Sequence, residues 1–245
     1  MHVRRLLVAL GLIAVTATFV APAVTAESLR DSLRDGTLRQ VGTYDYLVQP
    51  DFAGLAPLSA ATKGATLGLG TFAGLDGEYV MVGGIGYRVS TSGIPVKVSG
   101  RELTPFVQAI RFSPTRSVPI TPGTQCADLI PVIDAAIRSD SGIVAVRLRG
   151  TFTALSMRSV PEQQAPWPSL GAVISEQAVF PLDGQRAVLV GFRQAPDYLG
   201  VGQPGLHLHG LTADRSAGGH VLSCTVGTDA QLSVQRVRSV DIRSS

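Results

Sequence analysis

The chain has 245 residues, 45% hydrophobic and 16% charged, a globular composition long enough for one large core or two modest domains. Its formal charge is +3, but Arg4 and Arg5 fall in a leader; without them 19 basic residues face 18 acidic ones, a net of +1. No basic cluster with interleaved aromatics appears, so nucleic acid is excluded as an expected partner, while 27 Gly, 15 Pro and few aromatics point to many turns and a β-rich fold.

Residues 1–26 carry the Arg4-Arg5 pair, an almost wholly apolar run over 6–20, and small residues ending at Ala26. This pattern reads as a cleavable secretory signal peptide, too short and wrongly flanked for a permanent membrane span. Cleavage is expected after Ala26, with Ala23 as the alternative, and the Arg pair fits a twin-arginine leader poorly. The mature protein is therefore expected outside the cytoplasm with no stable membrane anchor. Export makes a disulfide possible between Cys126 and Cys224, although two buried free thiols are an equal alternative on sequence alone.

In the mature chain, residues 27–40 are polar and suggest a short helix or a flexible lead-in, and 41–48 a strand or the opening of a compact domain. Residues 50–62 have room for a helical turn before Lys63-Gly64. Residues 65–86 alternate short apolar runs with glycine turns, a β-meander, with Asp76-Gly77 read as a tight hairpin turn. Glu78 opens the strand after it, either solvated or directed into a polar site. Another strand is expected within 101–112, and 114–123 is a Pro-, Ser- and Thr-rich surface connection. Leu129, Val132, Ile133, Ala136 and Ile137 recur at helical spacing, with Asp128 as the candidate cap. Residues 142–152 form a strand that continues through Met157-Arg158-Ser159-Val160. A Pro-rich loop at 162–169 holds the single Trp167, and strands are expected at 173–180 and 186–192. The tail from 231 reads as one more strand and a polar end.

Between them lies Leu206-His207-Leu208-His209, followed by Gly218-Gly219-His220. These are the only histidines outside the leader. In an extended strand an alternating His-x-His puts both rings on one face, roughly 7 Å apart along the strand, from where they can converge on one ion. The residues between Gly210 and Gly219 read as a turn that returns the third ring on an antiparallel strand. Three protein nitrogens leave coordination positions open, the pattern of a catalytic zinc site. The competing reading is a metal-free, hydrogen-bonded histidine cluster. Cys224 follows His220 by four residues and on a regular strand would share its face.

Gly68-Leu69-Gly70-Thr71-Phe72, Gly74-Leu75-Asp76-Gly77-Glu78, Arg149-Gly150-Thr151-Phe152, Met157-Arg158-Ser159-Val160 and the His-x-His…Gly-Gly-His element together resemble α-acetolactate decarboxylase, in the family's order and over roughly residues 38–234. The resemblance implies a two-domain α/β fold, here a mixed-sheet domain at 27–142 and an antiparallel-sheet domain at 143–245 carrying the metal site, and a homodimer. It implies Zn2+ on His207, His209 and His220, with Glu78, Arg158 and Thr71 as catalytic residues. The implied activity is zinc-dependent decarboxylation of 2-acetolactate to acetoin and CO2, the metal acting as Lewis acid toward a chelated enediolate. The family also uses an acidic residue in a longer C-terminal extension; the last acid here is Asp241, and no residue clearly replaces it. The alternatives to that activity are a secreted zinc-binding protein of the same fold without catalysis, and a lyase for a related hydroxy-keto acid.

Overall fold

The computed structural model describes residues 36–244; the leader lies outside them. In chain order the strands are β1 (Thr37–Val41), β2 (Ala56–Pro57), β3 (Leu67–Thr71), β4 (Glu78–Val82), β5 (Ile85–Val89), β6 (Pro95–Lys97), β7 (Leu103–Thr104), β8 (Val107–Ile110), β9 (Arg116–Pro119), β10 (Ile143–Ser159), β11 (Ala178–Pro181), β12 (Arg186–Gln194), β13 (Gly205–Thr212), β14 (Gly218–Val226), β15 (Gln231–Arg236) and β16 (Ser239–Arg243). The helices are α1 (Tyr44–Val48), α2 (Ser59–Thr62), α3 (Leu129–Ile137) and α4 (Leu170–Ser175).

Two seven-stranded sheets result. The first runs β16-β1-β8-β3-β4-β5-β6 and is mixed, because β16 lies parallel to β1 while the other pairs are antiparallel. The second runs β12-β13-β14-β10-β15-β9 and is antiparallel throughout, with β11 beside β10. The 17-residue β10 pairs with β12 through its first half and with β14 through its second. The path β10-β12-β13-β14 therefore closes on itself, which leaves these strands few free edges. The sheets also exchange strands across residue 142: β9 joins the second and β16 the first.

Alternation explains the layering. Along β10, Val144, Val146 and Leu148 face α3 with its buried Leu129 and Ile133. Ile143 and Ala145 point the other way and meet Leu69, Val80 and Val89 of the first sheet in one core. The far side of the first sheet packs Val107, Tyr79 and Met81 against Leu58 and Ala61 at α2. Burying a core leucine or phenylalanine side chain is worth about 1.5–3 kcal/mol, so these three clusters supply most of the cohesion.

The meander is present, and Gly83-Gly84 turns β4 into β5 with φ of 61° and 83°, values that favour glycine at both positions. Asp76-Gly77 is not a two-residue hairpin turn. Thr71 pairs directly with Glu78, so the connection is the six residues between them, which include a short 3-10 turn at Ala73–Leu75. Other expectations are corrected as well. Residues 37–41 are a strand, and 44–48 are a helix because Thr43 accepts from Tyr46 N and caps it. The surface connection contains β9, which finds β15 as its partner. Residues 170–175 form α4, capped by Ser169 accepting from Ala172 N, where a strand was expected from 173. The tail divides into β15 and β16 in different sheets. Asp128 stands at the start of α3 without a side-chain cap bond.

Cys126 and Cys224 are joined in a disulfide, with Cα atoms 5.1 Å apart. Closing a loop of 98 residues is worth up to about 4–5 kcal/mol in the chain-entropy model. Cys224 does not share the face of His220. The β10–β14 register shifts between Ser156 and Met157, so that Leu222 is skipped: His220 lies opposite Arg158, but Cys224 lies opposite Leu155. One extra residue inverts the alternation and sends the sulfur into the apolar core under α3.

Candidate metal centre

The histidines sit where the second sheet meets the first. On β13, His207 and His209 pair with Phe192 and Val190 of β12, two residues apart and on one face as the alternation requires. His220 on β14 lies directly across from His209, and Arg158 on β10 directly across from His220. Three adjacent strands thus deliver four side chains in a row. Gly219 permits this closeness: its φ is 142°, and an added Cβ would lie 2.4 Å from Arg158 O, which would drive β14 away from β10.

Glu78 arrives from the other sheet. It is buried at the start of β4, opposite Thr71, and one oxygen, Oε1, takes an ion pair from Arg158 Nη1. Neither residue is the solvated surface group that a strand end permits. The other oxygen, Oε2, lies 3.3 Å from His209 Nε2. Thr71 lines the same cavity, with its hydroxyl donated to Gly77 O at 2.8 Å. That bond fixes the turn from which Glu78 emerges. Gly77 has φ 83°, and an added Cβ there would meet Val89 O at 2.5 Å.

The ring nitrogens are disposed for a cation. His209 Nδ1 is 2.8 Å from Tyr79 O, an acceptor only, so Nδ1 carries the proton and Nε2 presents a lone pair. His207 Nε2 is 3.2 Å from His209 Nε2 and 3.2 Å from His220 Nδ1. One ligand nitrogen from each ring falls within 4.8 Å of the others. Burial, then His209 and the Arg158 guanidinium, hold the His207 pKa well below its ordinary value. Burial, then His207, Arg158 and His209, do the same for His220. Burial also lowers His209, with Glu78 and the Tyr79 carbonyl acting in the opposite sense. Neutral imidazoles are the ligating form. Three ring nitrogens this close, with a carboxylate oxygen beside them and coordination positions left open, suit zinc, whose charge would hold their lone pairs together. The residues present therefore fit the metal.

The cavity in front of the rings has a volume of about 250 Å³ and is walled mainly by apolar side chains, among them Leu47, Leu75, Phe106 and Val160. All six site residues expected from sequence come together on it: Thr71, Glu78, Arg158, His207, His209 and His220. Glu78 is the one carboxylate on its wall among the described residues. The Tyr79 carbonyl was not foreseen, since a backbone acceptor leaves no signature in residue type. Gln177 was not foreseen either, because it lies in a segment read as strand.

The family profile for alpha-acetolactate decarboxylase matches residues 38–245. An alpha-acetolactate decarboxylase of Methanosarcina mazei is 35% identical over 210 residues, covering 85% of this chain and 73% of the relative. One of Brevibacillus brevis is 29% identical over 235 residues, covering 94% and 82%. The crystal structure of alpha-acetolactate decarboxylase from Bacillus subtilis strain 168 superposes with a TM-score of 0.80 at 27% identity, covering 84% of this chain and 88% of that one.

Proposed function

Since the chain belongs to the alpha-acetolactate decarboxylase family, we propose that it converts 2-acetolactate to acetoin and CO2 using zinc held by His207, His209 and His220. The observation that carries this reading is the convergence of three neutral imidazoles with the Arg158–Glu78 pair on one apolar-walled cavity.

Breaking the bond to the carboxyl carbon leaves an electron pair that needs a sink. Zinc bound by His207, His209 and His220 would supply that sink as a Lewis acid. The chain's own residues do the rest. Arg158 binds and orients the substrate carboxylate: Glu78 engages Nη1 alone and the residue lines the cavity, so the fork has a donor to offer. Glu78 handles the proton, because the carbon that loses CO2 must gain one and no other carboxylate lines the cavity among the described residues. Thr71 is a positioning residue, holding Gly77 and through it the start of β4. Leu75, Phe106 and Val160 limit water, which would otherwise deliver the proton without selection.

Export by the leader and assembly as a homodimer belong to the same reading. The Cys126–Cys224 disulfide supports the first, since such bridges persist in oxidising compartments. The test of the function is incubation with racemic 2-acetolactate, scored for acetoin and CO2. Turnover should vanish after chelation and return with zinc; full turnover in metal-stripped protein would remove the metal from the mechanism.

A further inference from the structure

Gln177 stands on the wall of the cavity shared by Arg158 and His220. Its backbone is anchored: its N–H is 3.2 Å from Ile174 O at the end of α4, and two residues further on Val179 pairs across from Arg158. The side chain therefore leaves a fixed stretch of backbone close to the guanidinium. Its carboxamide oxygen, Oε1, is buried and accepts no hydrogen bond. Leaving a buried acceptor unmade is costly, so each such atom calls for an explanation, and beside a cavity a bound partner supplies one.

Two of the other polar groups on that wall are held by the protein, and Tyr44 and Gln203 also line it. The Thr71 hydroxyl is given to Gly77 O, and Glu78 Oε1 is taken by Arg158. Apart from the histidines, two residues on the cavity carry a buried side-chain atom without a partner: Arg158, with Nε, a donor, and Gln177, with Oε1, an acceptor. A 2-hydroxy-3-keto acid has a carboxylate and a ketone, which only accept, and one hydroxyl, which can donate. This buried donor and buried acceptor match a carboxylate and a hydroxyl.

We infer that Gln177 is the substrate-binding residue that reads the 2-hydroxyl group, accepting its hydrogen bond through Oε1 and selecting 2-hydroxy acids over isosteres without it. The assignment rests on the decarboxylase reading above and adds to it the feature by which the cavity tells its substrate from a plain branched acid. A site built to bond a hydroxyl rejects the analogue lacking it because its own polar group is then left unpaired.

The test uses two stable carboxylates of similar shape, 2-hydroxyisobutyrate and pivalate, binding to the zinc-loaded protein by calorimetry. The wild type is compared with Gln177→Leu and with the unbranched Gln177→Met, each checked for metal content and melting temperature. The preference for the hydroxy acid should fall by about tenfold in both variants. The fall should come from weaker hydroxy-acid binding, with pivalate unchanged. An unchanged preference in either folded, metal-loaded variant overturns the assignment, and so does an equal weakening of both ligands. Acetoin formation by the wild type is scored separately. Its absence overturns the decarboxylase reading and this assignment with it, whereas turnover with an unchanged preference overturns the assignment alone.

Discussion

Two arginines of the second sheet, one buried and one partly buried, are used in opposite ways. Arg193, on β12, is 2% exposed and surrounded by acceptors: an ion pair with Asp134, Ser139 O at 3.0 Å and Gly142 O at 3.2 Å. All three lie on α3 or just beyond it, so the guanidinium ties the helix to the sheet. Arg158, on β10, has one protein acceptor, Glu78, and faces a cavity. A guanidinium encircled by its own protein's oxygens has little left for a ligand; one given a single carboxylate and an opening keeps part of its fork available. Both sit in strands of alternating apolar residues. Charge does not separate them; the count of acceptors and the opening onto a cavity do.

The comparison can be broken by substitution. His207→Ala has the largest expected effect: metal content and acetoin formation should fall together, by roughly 100-fold or more, since the remaining two imidazoles leave the set incomplete. Acetoin formation that survived loss of the metal would detach Arg158 from any metal-dependent step. Next is the Cys126→Ser/Cys224→Ser double variant, which removes a second tether, from the turn before α3 to β14. It should cost about 3 kcal/mol in denaturant unfolding, with kcat unchanged where the protein is folded. A lost kcat would place the α3 side of β14 in the site.

Arg158→Ala should retain zinc and lose about 100-fold in kcat/KM, equivalent to about 2.7 kcal/mol of transition-state stabilisation. Unchanged kinetics would make Arg158 a second Arg193. The reciprocal change, Arg193→Met, should lower stability by about 2 kcal/mol, because Asp134 is left partly buried without its partner. Its kcat should match the wild type at temperatures below both unfolding transitions, and an Arg193→Met protein that folded normally yet turned over slowly would erase the distinction.

Much of the fold was legible because its signals are local. The apolar-glycine rhythm gave β3 to β5, and helical spacing gave α3. Short segments failed where a partner decides. The run Leu170–Ser175 suits a strand or a helix, and the Ser169 cap with the turn at Glu176 and Gln177 selects the helix. Arg116–Pro119 has a weak strand pattern and becomes one only because β15 offers an open edge. The tail is one apolar-polar run, yet β15 and β16 join different sheets since each finds a different vacant edge.

For the site, the sequence by itself determined the donor set. Three histidines at i, i+2 and i+13 on a hairpin must converge, because strand alternation and antiparallel return are properties of a few consecutive residues. The resemblance to a family supplied Glu78, Arg158 and Thr71. Only the tertiary structure decided which nitrogen of His209 is free, since that depends on the Tyr79 carbonyl 130 residues away on another sheet. It likewise decided that Arg158 has one acceptor, that the Gln177 oxygen has no donor, and that a skipped Leu222 parts Cys224 from the histidine face. Hydrogen-bond satisfaction is set by what lies across an interface, and chain order does not contain that information.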